Sequence, residues 1–394
     1  MIVAYAMDWL NLLGRAVHGV AGIAWIGASF YFIWLDNHLQ GPIDAAAGER
    51  GVGGELWAVH GGGFYHSQKY RGAPPAMPAR LHWFKWEAYT TLLSGIFLLG
   101  IVYYAQPELT LVDPAVANLT PAMAVLLGVS WIAGGWFAYD ALCRSPLGRN
   151  ERALALALTL LCAIAAYAMC QLFPGRAAYL HFGAMLGTIM VLNVFFIIIP
   201  GQRALVQAAS EGRPVDPLHG LRGKQRSVHN TYFTLPVIFT MFANHYAWIT
   251  GAAWNWVWLI AISAAGALVR TYFVARHQGR AAIWPLVVAA ALLAATAYGV
   301  RPKGTTTAAP SIARVQAIAA ERCATCHAAS PRFQGLVAAP KGVALETTAQ
   351  LQSHAAKIRE QVSGRAMPPG NVTGLTDAER AELMAWTDAR SRGH

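Results

Sequence analysis

The sequence predicts an all-α protein: a polytopic membrane bundle of eight transmembrane helices, followed by a small all-α domain. Two observations predict this fold. The chain of 394 residues is 56% hydrophobic and only 12% charged, which is far fewer charges than a soluble protein carries. Apolar stretches recur throughout residues 1–300, and each is long enough to cross about 30 Å of hydrocarbon. Such repeated stretches disfavour a soluble helical protein.

The predicted spans follow one another along residues 1–300. They are residues 9–35, 83–104, 121–142, 153–173, 178–200, 229–249, 254–273 and 282–299. A parallel four-plus-four repeat is suggested because Tyr89 and Tyr232 begin similar tetrapeptides, and because His18 in the first span matches His181 in the fifth. Four helices restore the chain direction, so the two halves would be related by an axis along the membrane normal. Chance similarity between short apolar segments is the alternative.

Basic residues predict the orientation of the bundle. The net charge of +11 could indicate a nucleic-acid partner, but the charges are concentrated in alternate loops, which favours a membrane protein that binds no nucleic acid. One set of loops carries Arg50, Lys69, Arg71, Arg80, Arg144, Arg149, Arg152, Arg203, Arg213, Arg222, Lys224, Arg226, Arg276 and Arg280. The other set carries only Arg176. The positive-inside rule places the first set in the cytoplasm and both termini in the periplasm.

A different type of module follows the last span. Residues 301–310 (RPKGTTTAAP) have the composition of a linker, and residues 311–394 form a predicted separate domain. Within it, Cys323-Ala324-Thr325-Cys326-His327 has the C-x-x-C-H spacing at which two thiols bind a c-type haem and the histidine binds its iron. Half a zinc site or a redox dithiol are the alternatives, but residues 328–394 contain no further Cys. The sequence thus predicts a small all-α cytochrome c domain with haem c.

Two further features suit this domain. Met367 precedes a Pro-Pro pair downstream of His327 and is the expected second ligand of the haem iron. A loop methionine packed on the core is the alternative. Thr376, with Glu379 three residues later, has the pattern of a helix cap. Because c-type haem is attached on the outer face of the bacterial inner membrane, the domain is expected in the periplasm, in agreement with the charge distribution.

Ionisable residues inside predicted spans are costly and indicate function. Arg15 and His18 lie three residues apart in the first span, His181 lies in the fifth and His245 lies at the outer end of the sixth. Histidines from different helices, with glycines beside them, could ligate a haem b through His18, His181 and His245, while Arg15 pairs with a propionate. A hydrogen-bonded core imidazole is the alternative for each histidine, and helix packing is the alternative for the glycines.

The predicted cytoplasmic loop of residues 36–81 is too long for a simple connection. It contains His60 followed by Gly61, Gly62 and Gly63 between aromatic residues. These glycines are interpreted as presenting backbone amides to a ligand, with a flexible loop as the alternative.

Polar side chains also gather at the start of two spans. His82, Lys85 and Glu87 begin the second span, and Arg226 and His229 lie at the start of the sixth. Together they could supply acid, base and hydrogen-bond donors for a planar, anionic heterocycle. Side chains that extend to the membrane interface are the alternative for Lys85 and Glu87.

At these residues the chain resembles a known family. The segments WAVHGGGFY (57–65), LHWFKWEAYTTLLSG (81–95) and HNTYFTLPVIFTMFANHY (229–246) are similar to the bacterial membrane-bound, cytochrome c-linked urate oxidases, also called urate hydroxylases. The resemblance covers essentially the whole chain. It implies an eight-span domain joined to a cytochrome c module, and oxidation of urate to 5-hydroxyisourate without hydrogen peroxide. GRAVHGVAGIAWIGASFYF (14–32) also resembles haem-binding spans of membrane protoporphyrinogen oxidases, which favours His18 as an iron ligand.

The resulting hypothesis is an inner-membrane enzyme with urate as substrate. Lys85 or Arg226 would hold the urate anion, and a base among His60, His82, His229 and Glu87 would remove a proton. Electrons would pass through haem, b and then c, to a soluble cytochrome c or a terminal oxidase. Two alternatives remain: a quinol-oxidising cytochrome b joined to cytochrome c, and a transporter with a tethered electron carrier.

Overall fold

The structure is a computed structural model that describes residues 2–214, 216–280, 282–301 and 308–392. Most of the predicted linker, residues 301–310, lies outside these residues. Helices dominate the described chain, and their bounds follow. They are α1 (Ile2–His38), α2 (Ala45–Glu49), α3 (Trp86–Leu99), α4 (Pro107–Thr110), α5 (Pro121–Arg144), α6 (Glu151–Leu172), α7 (Gly175–Asn193), α8 (Ile199–Ser210), α9 (Pro217–Ala243), α10 (Ala247–Thr250), α11 (Asn255–His277), α12 (Trp284–Gly299), α13 (Ile312–Arg322), α14 (Thr348–Ser353), α15 (Ala355–Ser363) and α16 (Asp377–Arg392).

Side-chain caps determine where several of these helices begin. Thr120 accepts a hydrogen bond from the amide of Met123 at the start of α5, where proline occupies the first turn. The Asn150 side chain accepts from the amides of Arg152 and Ala153 at the start of α6. A short polar side chain at this position satisfies amides that have no partner within the helix.

Six helical segments in the described chain are long and apolar enough to cross a membrane. They are Tyr5–His38, Trp86–Tyr104, Pro121–Arg144, Glu151–Leu172, Gly175–Ser210 and Asn255–His277. The predicted span 229–249 overlaps α9, whose first half is polar, and the span 282–299 corresponds to α12, which has only 16 residues. The expected polytopic, mostly helical fold is confirmed with six candidate spans, and eight spans stay a prediction.

The segment 36–81, which was predicted to be a long loop, contains regular secondary structure. It contains α2 and an antiparallel hairpin of β1 (Val52–His60) and β2 (Gly63–Tyr70). Gly61 and Gly62 have φ of +57° and +79°, which is the backbone that a two-residue hairpin turn requires. Turn geometry therefore accounts for these two glycines without a ligand, and the hairpin is an exception to the all-α prediction.

Two stretches of π-helix interrupt the regular helices. Gly100–Tyr104 continues α3, and Val194–Ile198 lies between α7 and α8. Such wide turns are rare and are often found at functional sites. The first stretch ends at Tyr104, whose hydroxyl lies 3.0 Å from His181. The second begins directly after Asn193, which accepts a hydrogen bond from Arg226.

The chain packs as two compact units. The first comprises residues 1–101, 186–237 and 264–290, and the second comprises residues 102–185, 238–263 and 291–394. In the first unit, Ala88 of α3 is buried against Val191, Val194 and Ile199 of the α7–α8 region. In the second, the bulkiest buried side chains include Tyr139, Tyr179, Phe173 and Phe182.

The C-terminal segment 308–392 has its own apolar core within the second unit. Val315 and Ile318 of α13 and Leu383 and Trp386 of α16 belong to one buried cluster, which also includes Leu345, Leu351, Val362 and Leu375. This arrangement agrees with the predicted all-α domain of residues 311–394, whose boundaries stay a prediction.

Candidate functional site

The C-x-x-C-H segment forms a tight turn at the end of α13. The amides of Cys326 and His327 lie 3.1 and 2.8 Å from the carbonyl oxygen of Cys323. These hydrogen bonds hold the two thiols and the imidazole on one short turn, which is the local geometry that attachment of a single flat group needs.

The imidazole of His327 has a defined orientation. Its Nδ1 lies 2.8 Å from the carbonyl oxygen of Val343, which can only accept a hydrogen bond, so Nδ1 carries the proton. Histidines that bind metals usually donate from one ring nitrogen to such an acceptor and bind through the other. His327 therefore fits an iron ligand that binds through Nε2.

The two thiols are partly buried. Burial raises the pKa of the Cys323 thiol to about 11 and also raises the pKa of the Cys326 thiol. Redox-active dithiols have the opposite property, a lowered pKa. The raised pKa values therefore disfavour a redox dithiol. Among the described residues, no group of three or more His, Cys, Asp or Glu side chains is placed to hold a metal ion.

The backbone around Met367 is held by Arg380. Nη1 of this buried arginine donates to the carbonyl oxygens of Met367, at 2.9 Å, and Val362, at 3.1 Å. Nε of Arg380 is buried and has no hydrogen-bond partner among the described residues. Arg380 therefore supports the loop that carries the predicted second iron ligand, and it has a donor left for a further acceptor.

The predicted cap at Thr376 and Glu379 is confirmed. The amide of Glu379 donates to Thr376 Oγ1 at 3.2 Å, and the amide of Thr376 donates to Glu379 Oε2 at 2.8 Å. Arg322, the residue before Cys323, donates to both carboxylate oxygens of Glu379. The start of α16 is thus tied to the end of α13, next to the C-x-x-C-H turn.

The Met367 loop also packs on other parts of the second unit. A Cβ at Gly364 would lie 2.5 Å from the carbonyl carbon of Ala247, and a Cβ at Gly370 would overlap the carbonyl oxygen of Glu108. Arg176 Nη2 donates to Gln361 Oε1 at 3.2 Å. Backbone-to-backbone approach at two glycines therefore seats this loop against α10 and α4.

His18 lies in the first unit and contacts α3. Its Nδ1 is 3.0 Å from both the carbonyl oxygen of Thr91 and Oγ of Ser94. Gly95 makes room for the ring, because a Cβ there would lie 3.1 Å from His18 Cε1. Both contacts use Nδ1, so Nε2 is the nitrogen that could bind iron. Arg15 is exposed and donates to Asn11 on the same helix.

His181 is in a different situation, in the second unit. It is 0% exposed, its Nδ1 lies 2.8 Å from the carbonyl oxygen of Ala177 and its Nε2 lies 3.0 Å from the hydroxyl of Tyr104. Phe173 stacks on the ring. Both nitrogens already have protein partners, as a structural core imidazole requires. His245 is exposed in the turn after α9.

The predicted substrate-binding residues all lie in the first unit, on the hairpin, at the start of α3 and in α9. His60 is exposed at the tip of the hairpin, and His82 lies in the coil before α3, where its ring meets Phe84 edge-on. Lys85 is the N-cap residue of α3 and lies 5.9 Å from the Trp86 ring, and Glu87 is in the first turn of α3. His229 is partly buried in α9.

Two buried arginines in this unit are more informative. Arg226, only 3% exposed, donates to Asn193 at 3.3 Å, and Asn193 donates to Asn230 at 2.8 Å. Arg270 of α11 is 6% exposed, and its guanidinium carbon lies 4.5 Å from the centre of the Phe30 ring. Neither Asn193 nor Arg270 was among the residues predicted from the sequence. A charged residue within the predicted span 254–273 was the signal for Arg270.

Comparison with known proteins identifies the family. Residues 4–300 match the family model described as urate oxidase, N-terminal. No curated protein and no solved structure matches the chain. Because the family model covers more than half of the 394 residues, the protein belongs to the urate oxidase N-terminal family.

Proposed function

We propose that the protein is a membrane-bound oxidoreductase that converts urate to 5-hydroxyisourate and delivers the electrons to a c-type haem in its own C-terminal domain. The observation that carries the proposal is the urate oxidase match over residues 4–300. In the same chain, that region precedes the turn of Cys323, Cys326 and His327. Apolar helices of spanning length support a location in a membrane, which we propose to be the bacterial inner membrane with the C-terminal domain in the periplasm.

The reaction balances without oxygen as the oxidant. Counted from uncharged uric acid, one molecule of substrate and one of water give 5-hydroxyisourate, two protons and two electrons. The final acceptor is a one-electron carrier, a soluble c-type cytochrome or a terminal oxidase. Hydrogen peroxide is not a product, because the electrons do not go directly to oxygen.

Four residues would hold the c-type haem. Cys323 and Cys326 supply the thioether sulfurs, and His327 and Met367 supply the iron ligands. When bound, a c-type haem accepts electrons one at a time and passes them on. The Val343 carbonyl fixes the His327 ring, and Arg380 holds the backbone at Met367.

We further propose that His18 is a ligand of a haem b in the membrane domain. Its Nδ1 contacts with Thr91 and Ser94 leave Nε2 for iron, which favours His18 over the fully hydrogen-bonded His181. The structure gives less support to the other predicted haem b contacts. His245 is exposed, and Arg15, the predicted partner of a propionate, donates to Asn11.

Anaerobic mixing of the purified protein with urate tests the function. Reduction of the haem c absorption band by urate, with 5-hydroxyisourate as the product, is the expected result. If urate leaves the band oxidised while a quinol reduces it, the protein is a quinol-oxidising cytochrome instead. Uptake of urate into vesicles without net oxidation would indicate a transporter.

A further inference from the structure

We propose that Arg270 is the residue that binds the urate anion, through the edge of its buried guanidinium next to Phe30 of α1. This inference rests on the proposed function and names the substrate contact within it. It differs from the sequence-based hypothesis, in which Lys85 or Arg226 held the anion.

The first observation is the hydrogen bonding of Arg270. Its Nε and Nη2 are buried and have no hydrogen-bond partner among the described residues. These two nitrogens form one edge of the guanidinium fork, the edge that binds planar anions through two parallel hydrogen bonds. A buried cation without an anionic partner is destabilising, so this edge indicates a ligand.

The neighbours of Arg270 hold it in place without neutralising it. At Gly266, one turn earlier in α11, a Cβ would lie 3.0 Å from Cβ of Leu235, so α11 packs closely against α9. The Phe30 ring covers one face of the guanidinium at 4.5 Å. An aromatic ring attracts the cation through its face and leaves the in-plane N–H groups available.

Arg226 and Lys85 fit this role less well. The Arg226 side chain already donates to Asn193 within the chain of polar contacts that continues to Asn230. Lys85 caps α3 and lies close to Trp86, where a flexible ammonium group recognises a planar anion less specifically than an arginine fork.

Two imidazoles lie farther from Arg270, His277 on α11 and His38 on α1. His277 lies seven residues later in α11, which places it on the same face, about 10 Å along the axis. Its Nδ1 is also buried and has no hydrogen-bond partner in the described part of the chain. The ring of His277 meets the ring of His38 edge-on at 5.2 Å. Unpartnered polar atoms thus occur on α11 at both Arg270 and His277.

A cavity of about 260 Å³ lies beside His38 and is also lined by Gln40, Glu55 and Trp57. Neither Arg270 nor His277 lines this cavity, so it is separate from the Arg270 edge. Trp34 stacks on the His38 ring with the centroids 4.7 Å apart. Urate is a planar monoanion near neutral pH, with carbonyl oxygens and ring N–H groups around its edge. The Nε and Nη2 edge of Arg270 is complementary to the charge and to the carbonyl oxygens of this anion.

Urate binding and urate-driven reduction of haem c, measured in full-length protein, test the inference. Arg270→Gln removes the charge, and Arg270→Lys keeps the charge but removes the fork. Arg276→Gln is the matched control, because Arg276 is exposed on the same helix. We expect Arg270→Gln to raise the urate concentration for half-maximal reduction by about 10- to 100-fold, the range for loss of hydrogen bonds to a charged group. Arg270→Lys should show a smaller increase, and Arg276→Gln should show none.

Separate readouts distinguish failure of this inference from failure of the proposed function. One combination of results would overturn the Arg270 site and leave the function standing. In it, urate reduces haem c in wild type, and both Arg270 variants bind urate as tightly as wild type does. A second combination of results would overturn the function and leave the site standing: urate binds to wild type but not to Arg270→Gln, and urate does not reduce the haem of either protein. Reduction by a chemical reductant checks that each variant is intact, and if Arg270→Gln does not fold, Arg270→Lys decides. In a third outcome, the Arg270 variants lose bound phospholipid, measured as phosphate, while they bind urate as wild type does. That result would assign the Arg270 edge to a lipid headgroup and overturn the inference.

Discussion

His327 and Val343 are joined by a hydrogen bond: the imidazole Nδ1 lies 2.8 Å from the carbonyl oxygen. This contact fixes both the tautomer and the rotation of the ring. It leaves Nε2 as the ring nitrogen that would bind the iron of the proposed haem, as in other histidine–metal sites. The turn of residues 323–327 therefore combines the C-x-x-C-H sequence with an imidazole of fixed orientation.

Replacement of the thiols should abolish covalent haem attachment. In the proposed haem c site each thiol would form one thioether bond, so Cys323→Ala with Cys326→Ala should leave a chain without haem c. The measurement is haem staining of the full-length chain after denaturing electrophoresis. Cys170→Ala, at a buried cysteine outside the motif, is the control and should keep its stain. A stained band in the double variant would contradict the assignment.

Replacement of Met367 should lower the reduction potential of the haem. Methionine–histidine ligation raises the potential relative to other ligand pairs, and Met367→Ala removes the thioether. Redox titration of the purified full-length protein measures the change, with Met384→Leu in α16 as the control. If Met367→Ala and wild type have equal potentials, Met367 is a core residue and another group binds the iron.

The link between Glu379 and Arg322 should stabilise the C-terminal domain above acidic pH. Burial raises the pKa of Glu379, but hydrogen bonds from Thr376 and Arg322 outweigh it and hold the pKa below its ordinary value. The stabilisation is therefore complete above a pH of about 4.3, the ordinary value, and is lost as the pH falls through the lowered pKa.

Hydrogen exchange at the amides of α13 and α16 in the intact protein measures this stabilisation. Glu379→Gln should lower local stability near neutral pH by about 1–3 kcal/mol, because it removes the charged hydrogen bonds between Arg322 and the Glu379 carboxylate. The ion pair between Arg322 and Glu321 remains in this variant. The difference from wild type should shrink as the pH falls below about 4. A difference that stays constant down to pH 2 would show that the carboxylate charge is unimportant.

Seating of the Met367 loop should depend on Gly370. Gly370 has φ of +56°, and a Cβ there would overlap the carbonyl oxygen of Glu108. Gly342 has a similar φ of +68° but has open space around it, so Gly342→Ala has comparable backbone strain without the clash. We expect Gly370→Ala to slow reduction of haem c by urate while its reduction by a small chemical reductant is unchanged. Equal effects of the two variants would attribute the result to strain alone.

His18 should be required for a b-type haem. His18→Leu removes Nε2 and the contacts with Thr91 and Ser94, so the b-type absorption band of the reduced protein should disappear. His219→Gln, in the first unit but outside the proposed site, is the control. A b-type band that persists in His18→Leu would exclude His18 as a required ligand.

Local sequence patterns predicted some of these features and tertiary packing determined others. The cap at Thr376 and Glu379 was predictable because its two residues lie within one helical turn. The turn at Gly61 and Gly62 was missed because the glycines were assigned to a ligand instead of a hairpin. Arg226 was recognised as a charge at the start of a span, but its partner Asn193 lies 33 positions earlier and meets it only through helix packing.

The site around Arg270 shows the same limit of sequence reasoning. A charge within an apolar span indicates function, but the sequence does not say whether the charge has a partner. Burial of Nε and Nη2 next to Phe30 depends on α1 and α11, which are more than two hundred residues apart in the chain. Only the packed structure distinguishes Arg270, which has an unpartnered edge, from Arg226, which donates to Asn193.

Anaerobic titration with urate tests most directly whether urate oxidation is coupled to the haem c of the same chain. Urate is added to the oxidised protein in the presence of excess soluble c-type cytochrome, and the reduced cytochrome and the product are counted. The prediction is two cytochromes reduced and one 5-hydroxyisourate formed per urate consumed, with transfer abolished in the Cys323→Ala, Cys326→Ala variant. Urate consumption that reduces no cytochrome, or full transfer by the variant without haem c, would contradict the proposed function.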